Sequence, residues 1–269
     1  MTAAIITDHL GWHESPDGEP SRLVEYNGVA WLARWSDESL IMRPMEPGHT
    51  DPPPVAYTSP IRLPYDDAMQ PLVDELCRLG TVQRLTNPSL WDAITTALLR
   101  HGVPLDRARR THRAYYAAFG RTVDTPAGPL ALVPSPDRVL GLSEDGFAAV
   151  GASTARNALR AAAEAYRVNG ARWQRLAPES LVQHLAAVDG IGATAAALSV
   201  ADFTSDYAIY PHGDLTLRTW ATRAAPTLKL PSTDHEFEAL WRRWAPDRLT
   251  LHTLTLFTLT WGTHVRAHA

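Results

Sequence analysis

Cysteine is almost missing from this chain of 269 residues, with Cys77 standing alone. A single thiol excludes an internal disulfide framework and any four-cysteine zinc or iron–sulfur site built by one chain. Long apolar runs are missing too, and none reaches the length that spans a bilayer. Residues 1–8, MTAAIITD, hold neither a basic segment nor a sustained apolar one, so no secretory signal or membrane anchor is expected and the chain reads as cytoplasmic. No Walker loop, nucleophile elbow or zinc-protease helix occurs, and neither does an internal repeat. A surplus of basic charge is likewise absent. The formal charge of −4 opposes nucleic-acid binding as a bulk property, because phosphates are neutralised by Lys and Arg. Local clustering can reverse that. Arg100, Arg107, Arg109, Arg110 and Arg113, with His101 and His112, share one segment whose only acid is Asp106, although a solvated helix face accounts for such a cluster equally well.

What is present is a globular composition. Apolar residues make up 45% and charged residues 20%, and nine tryptophans supply more aromatic surface than a disordered linker carries. The length suits one large domain or two modest ones. Leu23–Tyr26, Val29–Ala33 and Leu40–Met42 are short β-prone runs separated by turn residues, which predicts a small antiparallel sheet. Pro44, Pro47, Pro52 to Pro54, Pro60 and Pro64 then mark a stiff connection, and a boundary is expected near residue 85.

Beyond it the pattern is helical. Asn87 is the expected cap of a helix with apolar residues at Leu90, Ala93, Ile94, Ala97 and Leu98. An Arg-rich helix runs from Pro104 to a stop at Gly120, and Ser135 and Ser143 open short helices. Residues 153–168 predict an alanine-rich helix ending at Asn169 and Gly170, and 178–187 another. Helices over 234–244 and 249–260 close the chain, the second weakened by its threonines.

Two segments carry the chemistry: VDGIGATAA over residues 188–196 and IYPHGDLTLR over 209–218. Gly190 and Gly192 frame a tight turn between two apolar helical stretches, and such a turn can hold a phosphate through backbone N–H groups and the helix dipole. It is also a common structural connector. Asp214 is placed to cap the next helix. Together the segments resemble the helix-hairpin-helix-GPD DNA glycosylases, whose hairpin reads Leu-Pro-Gly-Ile-Gly, here Val188 to Gly192, and whose Pro-x-x-Asp-Leu motif is here Pro211 to Leu215.

The resemblance implies a mainly α fold, a helical glycosylase domain over 86–269 with two subdomains flanking a cleft, preceded by a small β-rich (α+β) domain over 1–85. It implies Asp214 as the catalytic carboxylate, because breaking an N-glycosidic bond builds positive charge on the sugar. It places Val188, Gly190, Ile191, Gly192, Thr194, Arg100, His101 and Val103 on double-stranded DNA containing a damaged base, and Leu198, His212, Leu256 and Phe257 around the base. Relatives hold a monovalent cation on the hairpin carbonyls; no other cofactor and no side-chain metal site is expected. His264 and His268 have metal-ligand spacing with no third ligand. Bifunctional members need a lysine where this chain has Thr194, which implies a monofunctional enzyme, and with the missing four-cysteine cluster it points to the alkylbase branch, resembling 3-methyladenine DNA glycosylase II; a monomer is expected.

Two departures stand against that branch. Thr194, Leu198 and Leu256 are not aromatic, so stacking must come from Phe257, Tyr207, Tyr210 or Trp31. Gly102 cannot plug the gap left by a flipped nucleotide, which leaves Val103, Leu99 or Arg100. A non-catalytic damage- or structure-binding protein, or an N-glycosidase for a free nucleoside or bulky adduct, therefore stands as an alternative.

Overall fold

The computed structural model describes residues 2–48 and 51–267. The chain begins with β1 (Ala3–Ile5), β2 (His13–Glu14), β3 (Pro20–Tyr26), β4 (Val29–Ser36), β5 (Ser39–Pro44), β6 (Val55–Thr58), α1 (Gln70–Cys77) and β7 (Thr81–Leu85). It continues with α2 (Leu90–Arg100), α3 (Leu105–Phe119), β8 (Thr122–Thr125), β9 (Gly128–Ala131), α4 (Pro136–Leu140), α5 (Glu144–Ala149) and α6 (Arg156–Trp173). The last elements are α7 (Pro178–Ala186), α8 (Ala193–Thr204), α9 (Leu215–Ala224), α10 (Asp234–Trp244) and α11 (Arg248–Ala267).

The β-prone runs form an antiparallel meander in the order β2-β3-β4-β5. Asn27 and Gly28, both at positive φ, make the tight turn between β3 and β4, and Val24 then faces Trp31 across the pair. A second sheet sets β1 parallel to β7, with β6 antiparallel on the other side. A third pair, β8–β9, interrupts the helical part and was not expected. Its stability comes from outside: Val123 and neighbouring Leu132 share a cluster with Leu23 and Ala30 of the meander.

Helix ends differ from expectation in three places, the simplest being α11, which runs past the expected stop at 260 to Ala267. Asn87 does not cap α2; Ser89 does, its hydroxyl accepting from Asp92 N at 3.1 Å. Pro88 keeps Asn87 out of the helical region, and the Asn87 side chain accepts instead from Ser89 N. The alanine-rich helix does not stop at Gly170 but continues to Trp173. Gly170 lies inside the helix beside the Tyr166 ring, which a Cβ would meet at 3.0 Å.

Two large apolar clusters organise the molecule. One joins Leu90, Ile94, Tyr115, Phe147, Leu159 and Ala196 from α2 to α8. The other joins Ile6, Leu72, Leu76 and Val82 to Leu217, Trp241 and Phe257. Elements before residue 85 and the last three helices thus bury one another, so the change in secondary structure at 85 is not a gap between cores. Leu198 and Ile209 pack against both clusters, which marks the seam.

Candidate active site

The hairpin turn lies between α7 and α8. Val188 N donates to Leu185 O and Ile191 N to Val188 O, each at 3.0 Å, while Ile191 is buried beneath the turn. Gly190 adopts φ +77, and a Cβ on it would come within 2.8 Å of the Ala158 methyl, so the turn and α6 require glycine there. Gly192 is different. It caps α8 in ordinary extended geometry with nothing near its missing Cβ, leaving the α8 N-terminus and exposed Thr194 open to solvent.

Asp214 caps α9 as expected. Its Oδ1 accepts from Thr216 N at 3.1 Å and its Oδ2 from the Tyr210 hydroxyl at 2.6 Å. Burial pushes the Tyr210 phenol well above its ordinary range, Asp214 adding to the shift, so it stays protonated and donating. Tyr210 stacks on Tyr207 with ring centroids 6.0 Å apart. Tyr207 OH in turn accepts from Arg84 Nε at 2.8 Å and lies 3.2 Å from Asp8 Oδ2. Arg100, at the end of α2, turns inward beside Tyr210 and Asp214 and reaches Thr216 Oγ1 at 3.5 Å. Asp8, Arg100, Leu198, Asp202, Tyr207 and Tyr210 help line a small cavity.

A polar network backs this cavity. Asp92 accepts from Arg22 at 2.8 Å, Asn87 at 3.0 Å and Tyr116 at 2.5 Å, with His9 Nε2 3.2 Å away. Burial alone would raise its pKa, but His9, Arg22 and Tyr116 outweigh that and hold the carboxyl far below the usual range. Asp202 pairs with Arg84 at 2.8 Å and accepts from Asn87 at 2.5 Å. His9, Asp92 and His112 bring ligand-type atoms within 4.8 Å of one another, yet the chemistry opposes a metal. Gly11 N–H donates to His9 Nδ1 at 2.9 Å, which leaves the ring proton on Nε2, facing Thr96 and Asp92.

The residues expected from the sequence are partly brought together. His101, Val103 and Gly190 line one surface recess of about 720 Å³ with Arg107. Arg100 belongs to the cavity instead, and Leu99 is buried in the core, so neither projects as a wedge. Of the four residues expected around the base, only Leu198 lines the cavity. Leu256 and Phe257 are core residues beneath α9, and His212 is fully buried with Nε2 on Tyr207 O. Trp31 is buried within the meander. His268 lies outside the described residues. Asp8, His9, Asp92 and Asp202 were missed, since each sits alone in sequence and only the folding of residues 6–9 onto α2 and α8 collects them.

No protein-family profile and no curated protein sequence matches the chain. Solved structures do match. The Clostridium acetobutylicum 8-oxoguanine glycosylase/lyase is similar at 10% identity, TM-score 0.66, over 93% of this chain and 88% of that one. The 3-methyladenine DNA glycosylase of Archaeoglobus fulgidus is similar at 15% identity, TM-score 0.65, over 91% and 88%. That of Schizosaccharomyces pombe, in complex with abasic DNA, is similar at 18% identity, TM-score 0.54, over 74% and 94%. The first two likenesses cover more than nine-tenths of the chain, so the shared fold takes in the N-terminal sheets as well as the helices.

Proposed function

We propose that this chain, built on the fold of the helix-hairpin-helix DNA glycosylases, is a monofunctional DNA glycosylase that hydrolyses the N-glycosidic bond of an alkylated or otherwise modified base flipped out of duplex DNA. The observation that carries this reading is Asp214, a carboxylate held by Thr216 N and Tyr210 OH beside a cavity. As the base departs with the bonding electrons, positive charge grows on the sugar, and a fixed carboxylate stabilises it without reorganisation. Water then adds to the anomeric carbon and gives up a proton, leaving an abasic site. Of the aromatic candidates, Tyr207 and Tyr210 line that cavity, and both are buried.

The turn supports a grip on the DNA backbone. The first N–H groups of α8 lie behind a residue with no side chain, and the exposed Arg107, Arg110 and Arg113 of α3 add positive charge. The Val188 carbonyl accepts one N–H, from Ile191, and keeps a second lone pair, which suits a monovalent cation tying the turn to a phosphate. With Leu99 and Arg100 turned inward, the role of wedge is assigned to Val103. Lyase chemistry needs an amine at the sugar. Thr194 has none, and Lys229, the only lysine of the sequence, sits exposed in the loop after α9.

The test is incubation of wild type and Asp214→Asn with duplexes carrying alkylated, deaminated or oxidised bases, followed by alkali. Wild type is expected to create alkali-labile sites and Asp214→Asn to be slower by at least ~100-fold, about 2.7 kcal/mol. Borohydride should trap no covalent adduct. If the panel yields no abasic sites while duplex is still bound, the non-catalytic reading, which the glycine at 102 favours, replaces this one.

A further inference from the structure

The charges behind the cavity near Asp214 are matched to one another: Arg84 pairs with Asp202 and Arg22 with Asp92, each at 2.8 Å. Two charged groups that line the cavity itself are not. Arg100 reaches Thr216 Oγ1 at 3.5 Å and lies against the Tyr210 hydroxyl, and its remaining N–H donors have no partner. Asp8 accepts one hydrogen bond, from the Tyr207 hydroxyl at 3.2 Å, and keeps its other lone pairs. Asp8 is near enough to Arg100 to favour the charged guanidinium, yet among the described residues neither forms an ion pair, with the other or with any third group. The rest of the wall has little to offer a polar ligand. Ala93, Ala97, Leu198 and Ala201 are apolar, Asp202 is taken up by Arg84 and Asn87, and His9 by Gly11 N and Thr96.

We infer that Arg100 and Asp8 together read the base, and that the base is a neutral one whose edge sets a carbonyl oxygen beside a ring N–H, the lactam that deamination makes in uracil and hypoxanthine. This rests on the proposed glycosylase reaction and chooses among its substrates. A lactam edge gives Arg100 an acceptor and Asp8 a donor at once. An alkylated adenine lacks that edge and leaves Arg100 unmatched, and a cationic one also brings its charge up to a guanidinium. The cavity is small, and the edge of a base is the part that has to reach it. The same contact acts on the chemistry. As the C1′–N bond breaks, the bonding pair stays on the base and spreads onto the lactam oxygen, where Arg100 donates to the growing negative charge, while Asp214 offsets the positive charge on the sugar. Water adds to C1′ and the departing base takes up the proton that the water gives up, so the products are a neutral base and an abasic site. A cationic base leaves as a neutral molecule and gains nothing from Arg100.

The experiment uses the full chain and measures single-turnover release from duplexes carrying uracil or hypoxanthine, against duplexes carrying 3-methyladenine or 1,N6-ethenoadenine. Wild type is expected to release the lactam bases at least ~tenfold faster. Asp8→Ala should reduce that ratio by about tenfold, and Asp8→Asn, which keeps the shape and one acceptor oxygen, by less; the second variant decides if the first does not fold. Arg100→Met should slow lactam release by ~100-fold, and Arg100→Lys should recover part of it. The same duplexes made with 2′-fluoroarabino sugars, which resist cleavage, give the comparison in binding alone: wild type should prefer the lactam bases and Asp8→Ala should lose the preference. Release of alkylated adenines as fast as lactams, or a lactam preference kept in both Asp8→Ala and Arg100→Met, overturns the inference and leaves the glycosylase reading standing. Failure to release any base overturns that reading instead, and the binding preference still decides the roles of Asp8 and Arg100.

Discussion

Asp214 caps a helix and accepts from Tyr210, a wall residue of the cavity, with one carboxylate, and its partners occupy only two of about four lone-pair sites. If the Tyr210 hydroxyl fixes that carboxylate, Tyr210→Phe should slow base release about tenfold, the ~1.4 kcal/mol expected for a hydrogen bond to a charged group. Single-turnover rates measured alongside affinity for abasic duplex decide this: a fall in affinity with an unchanged rate would make Tyr210 a binding residue. The two hairpin glycines divide in the same way. Gly190→Ala forces a side chain into φ +77 and into Ala158, so a loss of ~1–3 kcal/mol is expected in chemical denaturation. Gly192→Ala should stay within ~0.5 kcal/mol of wild type, with its effect confined to duplex affinity. In sequence the pair look equivalent; only backbone angles and neighbours separate a folding glycine from an access glycine.

At the scale of elements, α9 sets the direction of Asp214, and α11 sets α9. Gly262 is the contact, because a Cβ there would fall 2.3 Å from the Trp220 ring. Gly262→Ala is therefore expected to cost ~1–3 kcal/mol by overpacking and to lower Tm by several degrees, read by calorimetry. Unchanged stability would show that α9 moves freely on α11. Most helices were legible beforehand, because Ser135 and Ser143 are strong caps and Gly120 stops α3. The β8–β9 hairpin was not, because residues 122–131 hold too short an alternation to signal strands and owe their pairing to the meander packed against them. Gly170 failed as a stop signal as well, since it lies inside α6 beside the Tyr166 ring.

Over the whole molecule, the shared cluster of α1, β1, β7 and α9 to α11 makes residues before and after 85 interdependent. A fragment of residues 86–269 should fail to fold cooperatively, and the full chain should melt in one calorimetric transition; a folded fragment would restore the boundary at 85. Stability should also depend on pH in a defined direction. Burial lowers His13 and His212 from 6.5 to about 4, and His112 falls well below its ordinary value. The unfolded chain then binds more protons than the folded one between these values, so stability is full above about pH 6.5 and falls as pH drops toward 4. Thermal melts across that window in phosphate-free buffer check it, and a flat profile would show that these imidazoles are reached by solvent.

Local order along the chain was enough for the hairpin, for Asp214 and for the absence of an amine at position 194. Turn chemistry, helix capping and the reach of a side chain depend on residues a few positions apart. The surroundings of that carboxylate were decided elsewhere. Tyr207 and Tyr210, core residues like Leu256, Phe257 and His212, line the cavity as well, and the other three do not, and Arg100 turned in toward Asp214 and not out toward solvent. The acids and histidines of the cavity and of the network behind it, Asp8, His9, Asp92, His112 and Asp202, come from the N-terminal segment, from α2 and α3, and from the end of α8. Burial and long-range pairing set their roles, and no neighbour in the sequence carries that information.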